Sequence, residues 1–182
     1  MDKQSKLIIN FEPLSNEKEL LHAADEYREI WIKEGEEILK AFEKISGSKF
    51  EEKEIQVIVY EGISRSGRSK NDAMRLRASY PHDVKLATLI HELGHRFLFD
   101  FESKQHSLDA HQILFLILYD IWTELYGKEF ADKQVAIESK RKGVYDYEKT
   151  WEWALSLGSV GRAEKFKQTK NAPHIVKFFE MY

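Results

Sequence analysis

The chain of 182 residues contains no cysteine. That excludes a disulfide framework, a thiol nucleophile, an iron–sulfur cluster and a Cys-type structural zinc site, so any metal must be held by His, Asp or Glu. Glycine and proline are scarce, at nine and three residues, which argues against collagenous, linker-like or turn-dense all-β chains. An excess of one charge is missing too. The formal net charge of −3 gives no global attraction to nucleic acid or to an anionic membrane. Long apolar runs are absent: the longest, residues 113–119, falls far short of the roughly 20 residues a membrane helix needs. The first ten residues carry Asp2, Lys3 and Lys6 before a short Leu7, Ile8 and Ile9, with no apolar stretch of signal-peptide length. A soluble, cytoplasmic protein with no membrane partner is expected.

What is present is a core. Hydrophobic residues make up 42% of the chain, including four Trp, eight Tyr and eleven Phe, enough apolar surface to exclude disorder throughout. With no repeat, low-complexity tract or linker, residues 1–182 read as a single domain.

Asn16 with Glu19 three residues later has the spacing of a capping box. Leu20, Ala24, Tyr27, Trp31, Ile38, Phe42 and Ile45 then recur at helical steps, predicting a long amphipathic scaffold helix over residues 16–46 that ends at Gly47. Gly35 is expected to weaken or bend it. Residues 55–60, dense in β-branched side chains, are the clearest strand. A loop follows, and then a second short strand over residues 73–78, where Met74, Leu76 and Ala78 alternate with Arg75 and Arg77. From Pro81 a helix carries Val84, Leu86, Ala87, Leu89, Ile90, Leu93, Phe97 and Leu98, apolar on more than one face and so deeply buried. A third helix runs from Leu108 or Asp109 to Tyr126, a polar one over 128–142, and a last one over 147–157. Residues 158–170 read as polar and unstructured. The expected fold class is α+β and predominantly helical.

The chemistry concentrates in His91-Glu92-Leu93-Gly94-His95. Helix positions four apart share a face, so two imidazoles so placed can hold one divalent ion at about 2.0–2.1 Å per Zn–N bond. Glu92 lies about 100° round the helix, within reach of a metal-bound water without being a ligand. Zinc lowers the pKa of that water towards about 7, and a neighbouring carboxylate can then move its proton. Three polar side chains in the middle of an apolar helix are costly to bury without partners. Metal ligation therefore outweighs satisfied core histidines.

The pentapeptide and its surroundings, residues 55–126, resemble the zincin metallopeptidases. That resemblance implies a small sheet packed on the helix that bears the motif and a peptide or protein substrate lying along an edge strand. It makes His91 and His95 zinc ligands, Glu92 the general base and acid, and residues 55–60 or 74–78 the substrate-binding edge. Leu98 and Phe101 stand where the metzincin branch has glycine and a third histidine, which excludes that branch. His111, sixteen residues after His95, is similar in placement to the third ligand of the SprT-like branch. A gluzincin-like arrangement would instead use Glu124 or Asp120, four apart on an otherwise apolar helix. His106 and Asp109 are further alternatives, and a carboxylate left over can fix the tautomer of His91 or His95.

Tyr145, Tyr147 and His174 are candidates for stabilising a developing oxyanion, although ordinary packing accounts for such residues more often. Tyr147, Trp151, Trp153, Leu155 and Leu157 read as a helix docked on the core. Arg65, Arg68, Lys70, Arg75 and Arg77 against Asp72 read mainly as a solvated loop. The sharper reading, which the SprT-like resemblance would support, is weak nucleic-acid contact through phosphates. The expected activity is zinc-dependent peptide hydrolysis. The rivals are a non-catalytic metal-binding regulatory or interaction module on the same fold, and a metal-free helical interaction protein.

Overall fold

The computed structural model describes residues 7–99, 107–143 and 145–173. It is α+β and mostly helical, with a small parallel sheet. Three strands, β1 (Ile8–Pro13), β2 (Glu54–Tyr60) and β3 (Met74–Arg77), lie in the order β1-β2-β3. Strand β1 is an addition to the expected pair. Its alternation is short and follows a polar start, yet Leu7, Ile9 and Phe11 are buried and Ile9 and Phe11 pair in register with Ile55 and Val57. The long helix α1 (Lys18–Ser46) is the crossover that parallel pairing of β1 with β2 requires. Strands β2 and β3 are also parallel, but the connection between them carries no helix.

Ile55, Val57 and Val59 on β2, with Met74 and Leu76 on β3, face the helices and are almost fully buried, while Glu54 and Gln56 are exposed. Strand β2 is central, with both of its edges occupied. Residues 55–60 therefore cannot be the free substrate edge suggested by the resemblance. The outer edge of β3 is partly covered as well: Arg65 and Arg75 exchange backbone hydrogen bonds of 2.9 and 2.8 Å in an antiparallel bridge.

Helix α1 ends as expected, with Gly47 at φ 63° donating to Glu43 O in the left-handed cap that glycine favours. Its start differs from expectation. Glu17 occupies the N-cap and no side chain caps the helix, so Asn16 and Glu19 form no capping box. Gly35 has a packing role: a Cβ there would lie 2.8 Å from the Trp31 ring.

Helix α2 (His82–Leu98) is buried at every residue from Val84 to Leu98. Helix α3 (Ala110–Tyr126) is the hub, touching α1, α2, α4 (Lys128–Glu138), α5 (Tyr147–Ser156) and α6 (Gly158–Lys170). Its run from Ile113 to Leu118 is buried on all sides. Trp151 stacks on Phe115 at 3.7 Å between centroids and docks α5 on this hub.

Helix α6 replaces the unstructured segment expected at 158–170. Its apolar face is small, Phe166 being its one large buried apolar side chain, and polar contacts hold it. Arg162 binds Asp120 bidentately at 2.9 and 2.7 Å, and Lys170 Nζ donates to Gly47 O at the end of α1 at 2.8 Å. No helix among the described residues is long and apolar enough to cross a membrane.

Candidate metal centre

The His91-to-His95 spacing puts both rings on one face of α2, with centroids 5.0 Å apart. His111 joins them from the first turn of α3. Its ring lies 4.6 Å from that of His95 and 5.6 Å from that of His91. One nitrogen from each of the three comes within 4.8 Å of the others, and this trio is the group among the described residues that could hold a metal ion.

Two local features place His111 there. Asp109 starts α3 with a capping box, accepting from Gln112 N at 2.9 Å while its own N donates to Gln112 Oε1 at 3.0 Å. Gly94, inside the pentapeptide, lets α3 approach closely, since a Cβ there would sit 2.4 Å from Leu114 Cδ1.

The donor set suits zinc. Burial, assisted by the neighbouring imidazoles, pushes His95 well below its ordinary value. Burial and His91 push His111 down to about 4, against the opposing pull of Glu138 and Asp109. Both rings are therefore neutral at pH 7 and keep a lone pair for a cation. Three imidazole donors that leave a coordination position open are the kind of set a catalytic zinc site uses. Tetrahedral bonds of about 2.0–2.1 Å require the donors to lie within roughly 3.4 Å of one another, and here they lie within 4.8 Å.

Glu92 is 5% exposed, and its carboxyl makes no hydrogen bond among the described residues. Burial lifts its carboxyl to about 7, against the lowering pull of His91 and Arg141. Behind His91 stands Glu138, the last residue of α4, whose Oε1 lies 2.8 Å from His91 Nδ1, close but poorly aligned as a hydrogen bond. Glu138 also accepts from Trp151 Nε1 at 3.1 Å and faces Arg141 Nη1 at 3.3 Å. Burial works to raise Glu138, but His91, Arg141 and Trp151 outweigh it and hold the carboxyl below its ordinary value.

The remaining candidates are dispersed. Asp120 is taken by Arg162, and Glu124 lies 2.6 Å from Lys44 of α1. Neither joins the three histidines, and neither fixes the tautomer of His91 or His95. Asp109 is occupied as a cap and also accepts from Tyr145 OH at 2.8 Å. The Tyr147 hydroxyl lies 3.2 Å from His111 Nε2, and the Tyr145 ring packs on His111 at 4.3 Å. His106 and His174 lie outside the described residues.

In the basic loop, Arg77 pairs with Glu61 at 2.6 Å, Arg75 lies over the Tyr60 ring, and Arg68 N donates to Asp72. The loop is anchored by Arg96, which directly follows His95 and is 2% exposed. Arg96 pairs with Glu52 and donates to the carbonyls of Ser66, Lys70 and Asp72 at 2.9, 2.7 and 2.9 Å.

Reading the sequence by its apolar positions passes over Glu138, Arg141 and Arg96. A signal for Glu138 does exist: Ala131, Gln134 and Glu138, at steps of three and four, form the buried face of α4. Compared with family models, with curated proteins and with solved structures, the chain matches none.

Proposed function

We propose that the protein is a zinc-dependent peptidase with a zincin-like arrangement, in which His91, His95 and His111 hold the metal and Glu92 is the general base and acid. The single observation that carries this reading is the convergence of the three imidazoles beside a buried carboxyl held near neutrality.

Bound there, zinc would polarise a substrate carbonyl and acidify a water molecule. Glu92 would take a proton from a water molecule onto its carboxylate as the water oxygen adds to the carbonyl carbon. The same carboxyl then delivers the proton to the leaving nitrogen as the C–N bond breaks, and a carboxyl titrating near 7 can do both. Glu138 holds His91 from behind, the arrangement that fixes ring orientation and raises ligand basicity. The Tyr147 hydroxyl, 3.2 Å from His111 Nε2, would donate to charge developing on the carbonyl oxygen. An extended substrate fits the β3 side of the sheet, beyond Arg65, since β2 is enclosed.

The test is Glu92→Gln in the zinc-loaded chain, assayed by metal analysis and digestion of a broad peptide library. Zinc should stay bound while hydrolysis falls by about 10²–10⁴-fold. Undiminished hydrolysis in that variant defeats the mechanism. His111→Ala should lose zinc where Glu124→Ala keeps it. One observation favours the rival of a metal-binding module without turnover: His91 and Glu92 are only 1% and 5% exposed, and the Tyr145 and Tyr147 rings lie against His111. Stoichiometric zinc without any cleavage would select that module.

A further inference from the structure

A cavity of about 760 Å³ opens beside the metal centre, between the end of α4 and the start of α5. Lys140, Arg141 and Lys142 line it together with Tyr145 and Tyr147. These two tyrosines are the rings against His111, at 4.3 and 4.9 Å between centroids. An occupant of the cavity therefore lies against rings that themselves touch His111.

The lining carries three cations against two acids in a chain whose net charge is −3. Arg141 is held in place, with Nη1 3.3 Å from Glu138 Oε1 and its guanidinium 5.8 Å from the centre of the Tyr147 ring. A guanidinium has five N–H donors in a fixed fork, more than Glu138 and Tyr147 can accept, and a fork so fixed suits a carboxylate. Lys140 and Lys142 flank it, exposed and without a carboxylate partner among the described residues. Two acids also line the cavity, Asp146 and Glu148. Asp146 is turned to cap α5, accepting from Lys149 N at 3.0 Å.

We propose that this cavity is a subsite that reads a carboxylate on the substrate, with Arg141 as anchor and Lys140 and Lys142 as flanking cations, so that the substrate is an acidic peptide. The inference rests on the peptidase reading above. The carboxylate belongs to an Asp or Glu side chain or to the peptide's own C-terminus, and the two sources share one chemistry.

The test measures binding, so it needs no turnover. Zinc-loaded full-length chain carrying Glu92→Gln is titrated into four fluorescein-labelled decapeptides, read by anisotropy at low salt. One pair differs by Glu against Gln within the sequence, the other by a free C-terminal acid against an amide. The acid member of at least one pair should bind about tenfold tighter, equivalent to about 1.4 kcal/mol, with the gap narrowing as salt rises. Preference within the first pair identifies a side chain, and within the second a chain end.

Adding Lys140→Gln and Lys142→Gln should cut the preference to within about threefold, since each flanking charge acts through solvent. Arg141→Gln should reduce it further. The lysine pair is the cleaner variant, because Arg141 also supports Glu138. Equal binding within both pairs, a neutral preference, no measurable binding of any peptide, or a preference untouched by all three substitutions each overturns the proposal. If the acid preference holds while the wild-type protein cleaves nothing, the subsite stands and the peptidase reading falls. Cleavage that is indifferent to carboxylates means the reverse.

Discussion

Replacing Gly94 by alanine puts the link between helix packing and metal binding to a direct test. The added Cβ would sit 2.4 Å from Leu114 Cδ1, whereas carbon atoms rest at about 3.5–4.0 Å. Something must yield by about 1 Å. Leu114 has little room to swing aside, because its side chain is fully buried. The strain therefore falls on the separation of α2 and α3, and His111 lies less than one turn from Leu114.

Two energies oppose each other in the metal-free protein. Alanine improves the helix by about 1 kcal/mol, and overpacking costs about 1–3 kcal/mol, so the net loss of stability should be about 0–2 kcal/mol. Metal binding has no compensating gain. A site that must be held within about 0.5 Å and then loses about 1 Å at one ligand should bind zinc at least tenfold more weakly, a loss of about 1.4 kcal/mol. Chelator competition measures the affinity and urea denaturation the stability. In the double variant Gly94→Ala with Leu114→Ala, the clash disappears and zinc affinity should recover towards wild type, although the truncated leucine still costs stability. If Gly94→Ala alone binds zinc normally and melts at a higher temperature, helix propensity is the whole effect and the close approach does not set the position of His111.

Glu138→Gln removes the charge behind His91 and should weaken zinc binding by about 10–100-fold, measured by the same competition; unchanged affinity would dismiss Glu138 as a supporting group. Arg96→Met strands the Glu52 carboxylate in a pair whose side chains are 1% and 8% exposed, so a loss of about 3–5 kcal/mol is expected, with faster proteolysis between residues 66 and 72; urea midpoints within error of wild type would contradict this. Acid should destabilise the metal-free protein. Unfolded histidines bind protons near 6.5, whereas native His111 does so only at about 4 and native His95 well below 6.5, so stability is full above pH 7 and falls as pH drops through 6.5. Glu92 works the other way between 7 and 4.5, because its native carboxyl binds a proton more readily than the unfolded one. Glu92→Gln should therefore steepen the acid loss seen in urea midpoints at pH 7.5 and 5.5, and a flatter profile in that variant would refute the assignment.

Apolar periodicity made α2 and α3 legible in the sequence because both are buried and their hydrophobic residues recur at helical steps. The His91, Glu92 and His95 face was legible for a different reason, since a four-residue step fixes geometry within a single helix. His111 needed more than spacing. It is brought up by the packing of α3 on α2, where Leu114 fills the space left at Gly94, a contact between helices that no local pattern encodes. Asp120 and Glu124 were misleading because a carboxylate on an apolar helix signals only that it needs a partner. The partners turned out to be Arg162 and Lys44, both far away in sequence. Helix α6 escaped notice because polar contacts such as that of Arg162 hold it, and these carry no hydrophobic period.

The two buried glutamates beside the histidines show how surroundings would divide the roles proposed for them. Glu92 and Glu138 are 5% and 2% exposed, so burial disfavours the charged form of each. Glu138 is repaid by His91, Trp151 and Arg141 on its two oxygens and stays below the ordinary carboxyl range. Glu92 has no such close partners among the described residues and rises to about 7. A residue that orients a ligand needs a permanent charge, and a residue that carries a proton needs both forms within reach at neutral pH. Exchanging the environments would exchange the roles: a donor built beside Glu92 should lower its pKa and remove it as a proton carrier while leaving the three imidazoles where they are.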